Sequence, residues 1–383
     1  MLISPPLSFL TVPYVDIAGQ HAPLRGELLA AVAAVIDRGD FILGREVEDF
    51  ERRFAASCGV RFAIGVGSGA DALVLALRAI GVGCGEEPQE VITAPNSFVA
   101  SASAIVVAGG RPVFVDVDED MNLDPSQIES ALTPRTRAIL PVHLTGRPAD
   151  MDPIVQLARA RGLAVIEDCA QAVNAEYRGR RVGSLGTAGC FSFHPLKTLN
   201  ACGDGGVVTT DDKDLADRLR LLRNNGLRTR EDCRMWAVNS RLDTMQAAML
   251  LVKLRHVEDW TDRRCAIAAY YRQALSGVEG LELPIERPHQ RAVYHTFVVQ
   301  TDERDALRGY LGDHGIGTAV HYPVPIHLTV AAAEMERPRG SFPVTERQAG
   351  RILSLPVFPE LRRDQLEHVV ESIRAFFRPQ GRG

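Results

Sequence analysis

The sequence predicts an α/β fold, a mainly parallel central sheet between helices, followed by a smaller C-terminal α+β unit. Three observations carry this. From Phe62 to Glu167, short buried-strand patterns alternate with helical ones, the rhythm of a parallel sheet covered on both faces. The first strand runs into a glycine-rich turn and a helix, IGVGSGADAL (64–73). After about Asn239 the alternation stops, and a long helical stretch leads to a different pattern.

The elements follow in order. Arg25–Asp37 has helical apolar spacing, and Gly39 ends it; Glu46–Ser57 repeats the pattern. Phe62–Val66 reads as a strand, Ala70–Ile80 as a helix and Glu90–Ala94 as a strand. Phe98–Ala108 reads as a helix and Pro112–Val115 as a strand. Ala138–Val142, Pro153–Arg161 and Leu163–Glu167 continue as strand, helix and strand. Arg241–Leu275 is expected to be one long helical connection. Beyond the Gly/Pro-bearing segment Gly277–Pro288, the small unit is expected to contain strands Tyr294–Gln300 and Thr318–His321 and helices Arg304–Asp313 and Arg363–Phe377. The expected division is an arm (1–20), a large α/β domain (21–240), a connecting segment (241–276) and a small domain (277–383).

Composition excludes several classes. The 383 residues include 46% hydrophobic and 24% charged residues, enough for a large core. A net charge of −5 argues against a nucleic-acid groove or a polybasic membrane surface. No apolar run reaches the ~18 residues of a membrane span. The start, MLISPPLSFLTVPYVD, has no basic n-region and is broken by prolines, so no signal peptide is expected and the protein is read as cytoplasmic. The seven cysteines are odd in number and form no C-x-x-C, so neither a disulfide framework nor a metal site is expected.

Chemistry concentrates in FSFHPLKTLNACGDGG (191–206), where Lys197 sits in a turn between an apolar run and the strand-like VVTT. A lysine amine becomes a covalent catalyst where its surroundings lower its pKa or a carbonyl captures it. Upstream, AVIEDCAQA (164–172) places the acids Glu167 and Asp168 at a strand end. Strand alternation allows only one of them to face a ligand, and the spacing does not say which; a helix cap or loop salt bridge is the plainer reading of either. The turn Gly65–Ala70 fits G-x-G-x-x-A, so a dinucleotide site is an alternative. Its expected acid about 20 residues on is poorly matched, because Glu86, Glu87 and Glu90 precede the next strand. Either reading puts an anion at a helix N-terminus. An amine, a strand-end acid and a phosphate-cradling turn are the parts needed to hold pyridoxal 5'-phosphate.

Other positions stay two-sided. Phe98 could stack on a flat ring or simply be core, and Ser192 could donate to a phosphate. His194 competes with Lys197 for a catalytic role, or is a hydrogen-bonding neighbour. VHYPVPIHL (320–328) gathers His321, Tyr322 and His327 in a proline-shaped loop that lines a substrate or only the surface. Cys169 and Cys202 lack an activating base and read as packing residues.

Taken together these motifs, with DRGDFILGREVEDFERRFA (37–55), PVHLTGRPADMDPI (141–154), LRNNGLR and NSRLDTMQAA, resemble the DegT/DnrJ/EryC1/StrS family of sugar aminotransferases along nearly the whole chain. The resemblance implies the fold-type I architecture of pyridoxal-phosphate enzymes. It implies that Lys197 is the Schiff-base lysine, Asp168 the acid on the pyridine nitrogen, Gln171 the neighbour of the ring's phenolic oxygen and Phe98 the stacking aromatic. Gly69, Ala70 and Ser192 match phosphate contacts. Asn239 matches a residue that reaches the phosphate in the neighbouring subunit, implying a homodimer with shared sites, and His321, Tyr322 and His327 fall near the sugar. The implied reaction moves an amino group from L-glutamate (or glutamine) to a keto-sugar, a nucleotide-linked 3- or 4-keto-(6-deoxy)hexose, with ping-pong kinetics. Two departures are Thr198 and Ala70, where many members have Asn and a hydroxyl residue. A dehydratase of the same family would carry histidine in place of Lys197.

Overall fold

The computed structural model describes residues 10–378. Its centre is a seven-stranded sheet in the order Phe62–Val66, Gly206–Thr210, Ala188–Ser192, Ala164–Asp168, Thr136–Ile139, Glu90–Thr93, Arg111–Phe114. Gly206–Thr210 runs antiparallel to both neighbours, and the remaining pairs are parallel. The strands are short and buried almost throughout, as a sheet covered on both faces requires.

On one face the helix Gly69–Ala79 lays Ala72, Leu73, Ala76 and Leu77 against Ile64, Ile166 and Val208. On the other, Arg45–Cys58 buries Val47, Phe50, Phe54 and Cys58, the i, i+3/i+4 spacing of an inward stripe, against Phe191 and Phe193. Gly39, at φ +69°, terminates the helix Arg25–Arg38 in the left-handed cap that its position suggested.

A second core holds the C-terminal unit together. Strand Phe297–Gln300 pairs antiparallel with Ile352–Leu355, flanked by helices Arg304–Asp313 and Arg363–Phe376. Val12 of the arm belongs to this core, donating to Gly315 O and accepting from Gly317 N. Residues 1–9 of the expected arm lie outside the described residues.

Three elements differ from expectation. The connection is two helices, Thr244–Leu254 and Val257–Leu275, broken at Arg255 and His256 without proline or glycine. The first stays on the large sheet, where Lys253 donates to Asn200, while the second crosses to bury Tyr271 and Leu275 in the small core. Thr318–His321 is not a strand: Ala319 makes a single bridge to Ser354, and Gly317 is already paired with the arm. The strand expected from Tyr294 begins at Phe297, because Tyr294 sits at φ +50°. Among the described residues, no helix is long and apolar enough to cross a membrane.

Candidate active site

Three chain segments meet at the carboxyl ends of the central strands. Helix Gly69–Ala79 begins there, capped by Ser68, whose hydroxyl accepts from Asp71 N at 3.1 Å. Ala72 N donates to Ser68 O, leaving the N–H groups of Gly69 and Ala70 as the helix's open donors. Gly69 lies so close to the end of the strand Ala188–Ser192 that an added Cβ would stand 2.5 Å from Ser192 Cβ. Ser192, Gly69 and Ala70 thereby form one cradle on the wall of a cavity of about 350 Å³. A helix N-terminus with free N–H groups and a hydroxyl beside it suits a phosphate.

The amine and the acid line the same cavity. Lys197 follows a turn closed by Lys197 N donating to His194 O at 2.8 Å. The turn is held from below: Asn200 Nδ2 donates to Lys197 O at 3.0 Å, and buried Lys253 donates to Asn200 O at 2.8 Å and Asn200 Oδ1 at 2.7 Å. Desolvation pushes the Lys197 amine down to about 8, while the charge of Asp168 pulls the other way. Asp168 is buried on the cavity wall, accepting from Ser101 Oγ at 2.7 Å and from Ala170 N at 3.1 Å.

The strand alternation resolves the acid pair. Glu167 points to the opposite face, fully buried. It accepts from Gly183 N, Leu185 N and Gly186 N at 2.7–2.8 Å and lies 3.0 Å from His143 Nε2. His143 Nδ1 accepts from Ala149 N, so Nε2 carries the proton that Glu167 receives. His143, Glu167 and Cys169 come close enough to suggest a metal ion. Hydrogen bonds already occupy both carboxylate oxygens and both imidazole nitrogens, so the cluster is a structural knot. Replacing Glu167 with glutamine sets an amide N–H against backbone donors and should destabilise the fold by about 3 kcal/mol or more. The midpoint of urea unfolding measures this; an unchanged midpoint would contradict the knot.

The other expected residues divide. Phe98, Gln171, His321 and Tyr322 line the same cavity. Phe98 is half exposed with its ring 5.5 Å from that of Tyr322, and Gln171 Nε2 donates to Tyr322 Oη at 3.3 Å. His321 lies 2.9 Å from Ser354 Oγ, and burial together with the Lys197 charge lowers it to about 4, so it is a neutral imidazole. Burial raises the Tyr322 hydroxyl, which stays protonated. His194 lines the cavity too, but its Nδ1 accepts from Leu196 N as part of the lysine's turn. Asn239 is exposed and outside this cavity, beside the fully open Trp236. His327, expected near the sugar, does not line this cavity: it is 3% exposed, its Nε2 is 3.1 Å from Glu346 Oε1, and its ring packs on Phe342. The small-unit packing takes it away from the cavity.

Sequence reasoning missed Ser101, Tyr14, Arg264 and His295, all on the cavity wall. Ser101 had a signal, lying three residues after Phe98 on the same helix. Arg264 had none: it is buried beneath the cavity and donates to Val357 O at 2.6 Å from a helix far along the chain.

With this geometry in view, the comparisons with known proteins fall into place. The model of the DegT/DnrJ/EryC1/StrS aminotransferase family matches residues 23–374. The chain is 48% identical over 364 residues to a dTDP-3-amino-3,4,6-trideoxy-alpha-D-glucose transaminase of Streptomyces venezuelae, covering 95% of each. It is 43% identical to a UDP-N-acetyl-3-dehydro-alpha-D-glucosamine 3-aminotransferase of Acidithiobacillus ferrooxidans, covering 95% of this chain and 97% of that one. The crystal structure of S. venezuelae DesV in complex with a ketimine intermediate superposes with a TM-score of 0.93 at 47% identity, covering 96% and 98% of the two chains. The mainly parallel sheet flanked by helices is the fold-type I arrangement of such enzymes. This chain belongs to the DegT/DnrJ/EryC1/StrS aminotransferase family.

Proposed function

We propose that the protein transfers an amino group from L-glutamate (or glutamine) to the C3 carbonyl of a nucleotide-linked keto-hexose, using pyridoxal 5'-phosphate. The observation that carries the chemistry is the Lys197 amine, lowered to about 8 by burial against the charge of Asp168, in a cavity whose wall also carries the cradle of Gly69, Ala70 and Ser192. The two transaminases above differ in carrier, dTDP in one and UDP in the other, yet both are named for an amine at C3. That shared position favours C3 over C4.

Bound pyridoxal phosphate supplies an electron sink for the charge left when a Cα–H bond breaks. The N–H groups of Gly69 and Ala70 and the Ser192 hydroxyl would hold its phosphate. Asp168 would keep the ring nitrogen protonated, Gln171 would lie on the side of the phenolic oxygen, and Phe98 would supply an aromatic face. Lys197 would anchor the group covalently and, when free, would serve as the general base that takes the Cα proton of the donor and returns one to the sugar carbon. His321 and Tyr322, both uncharged at neutral pH, line the substrate side with hydrogen-bonding groups.

The decisive test is two-step. The holoenzyme is converted with L-glutamate, excess donor is removed, and a dTDP-linked 3-keto or 4-keto hexose is added. A 3-amino product from the first, with one 2-oxoglutarate released beforehand, is the expected result. Amination of the 4-keto sugar alone would overturn the C3 assignment.

Free Lys197 must shed its proton to capture the cofactor. The capture rate in cofactor-free protein should therefore rise with pH through about 8 and level off above it. Because Asp168 raises the amine's pKa, Asp168→Asn should move that midpoint to lower pH; a midpoint shifted upward contradicts the electrostatic coupling. Stopped-flow absorbance follows both.

We further propose a homodimer in which Asn239 completes the neighbour's phosphate site. The exposed position of Asn239 beside Trp236, itself 98% exposed, supports a surface meant for a second copy. Mixing Lys197→Ala with Asn239→Asp should restore activity that neither variant has alone, since one hybrid site then carries both native residues. No recovery on mixing would count against shared sites.

A further inference from the structure

A second cavity, of about 420 Å³, lies at the junction of the large and small units, on the far side of Thr296 from Lys197. Its volume is in the range of small-molecule sites. Three polar side chains on its wall are buried and leave polar atoms without partners, although Gln348 Nε2 donates to Asp118 O at 2.9 Å. Arg147 is 3% exposed, and among the described residues its guanidinium has no hydrogen bond or ion pair; the acids Asp120 and Glu286 act on it only through their charge. Gln348 and Thr296 are each 3% exposed, and Gln348 Oε1 and Thr296 Oγ1 have no partner. Buried polar groups ordinarily find partners, and a buried cation without one is costly. Three such groups on one wall point to a ligand.

The charges indicate its class. Arg147, Arg347 and Arg351 share the wall with Glu119, Asp120 and Glu282, so the formal charges cancel. Asp120 is taken by Arg287 at 3.0 Å, and Glu282 by Arg351 at 3.0 Å. What is left over is a cation pair, Arg147 and Arg347, and an anion, Glu119, with the acceptor Gln348 Oε1. That set asks for a carboxylate at one end and an N–H donor at the other. A phosphate dianion carries no hydrogen-bond donor, so it would set two negative charges beside Glu119 and leave Gln348 Oε1 without a donor. Met121, Leu283 and Val298 line the remainder and leave room for an apolar substituent.

We propose that this cavity binds a small zwitterion of the α-amino acid type, its carboxylate on Arg147 and its ammonium toward Gln348 and Glu119. The site is joined to the catalytic one. Thr145, on its wall, donates its N–H to Gln171 Oε1 at 2.7 Å, and Thr296 borders both cavities. Occupancy would therefore bear on the position of Gln171.

The test is calorimetric titration of the holoenzyme with L-alanine, acetate and inorganic phosphate, with the cofactor absorbance followed in parallel. L-alanine should bind saturably in the millimolar range, more tightly than acetate or phosphate, and should still do so in Lys197→Ala. Arg147→Gln removes the charged partner and should weaken binding about tenfold or more. Ala292→Leu fills the cavity mouth without removing any partner and should weaken it likewise, which keeps the test meaningful should Arg147→Gln fold poorly. Absence of saturable L-alanine binding, binding lost in Lys197→Ala, or binding that survives both cavity variants would overturn the site. Phosphate binding more tightly than L-alanine would overturn the zwitterion.

Discussion

Lys197→Ala is expected to abolish turnover, lowering kcat by at least about 10⁴-fold, or about 5.5 kcal/mol in the barrier. Two losses combine. The covalent anchor disappears, so pyridoxal phosphate should be removable by gel filtration from the variant but not from the native protein. The proton-transferring base disappears as well, and no neighbour can replace it. His194 is committed to the turn through Leu196 N, and His321 is too weak a base once lowered to about 4. Because the cradle of Gly69, Ala70 and Ser192 is untouched, the variant should still bind the cofactor reversibly. A small primary amine in the buffer should return part of the activity. Retention of more than about one hundredth of the native rate would remove Lys197 from its role, and His194 would become the residue to examine.

The sequence made the frame of this site legible because its parts are local. A strand ending in Glu167-Asp168, a turn ending in Gly69-Ala70 and a lysine in a tight turn are each written in fewer than ten residues. Sheet topology then places strand ends together as a matter of course. The choice between Glu167 and Asp168 was not local. It depends on which face of the strand meets the loop 183–186, whose N–H groups claim Glu167. The place of His327 outside the cavity was not local either. Its spacing from His321 looks like one loop, but the 3-10 turn Ile326–Leu328 rotates it onto Glu346. Arg264 and Lys253 were invisible, since nothing around them in sequence reports partners 30 to 93 residues distant. The break at Arg255–His256 likewise has no glycine or proline to mark it and follows from the two units that the helices serve.

Asp168→Asn should leave the fold nearly intact and lower kcat by about 10²–10³, the range found when one charge-stabilising group is removed from an active site. The amide keeps the size of the carboxylate: its oxygen can still accept from Ala170 N, and the Ser101 hydroxyl can turn to accept from the amide N–H. In the proposed role, what it could not do is hold a proton on the pyridine nitrogen by charge. That proton matters at the same stage of both half-reactions, when the electron pair of a broken C–H bond must be accommodated. The donor step with L-glutamate and the acceptor step with the keto-sugar should therefore slow by similar factors, with little change in KM for either substrate. A loss confined to the sugar step would mean that Asp168 acts on the substrate instead. Ser101→Ala, which removes only the neighbour that orients the carboxylate, should cost far less. Glu167→Gln is the internal contrast: one residue earlier on the same strand, it should lower the unfolding midpoint while leaving both half-reactions of the surviving folded protein close to native. If the two variants exchanged these signatures, the strand would be facing the other way and the site would have to be rebuilt around Glu167.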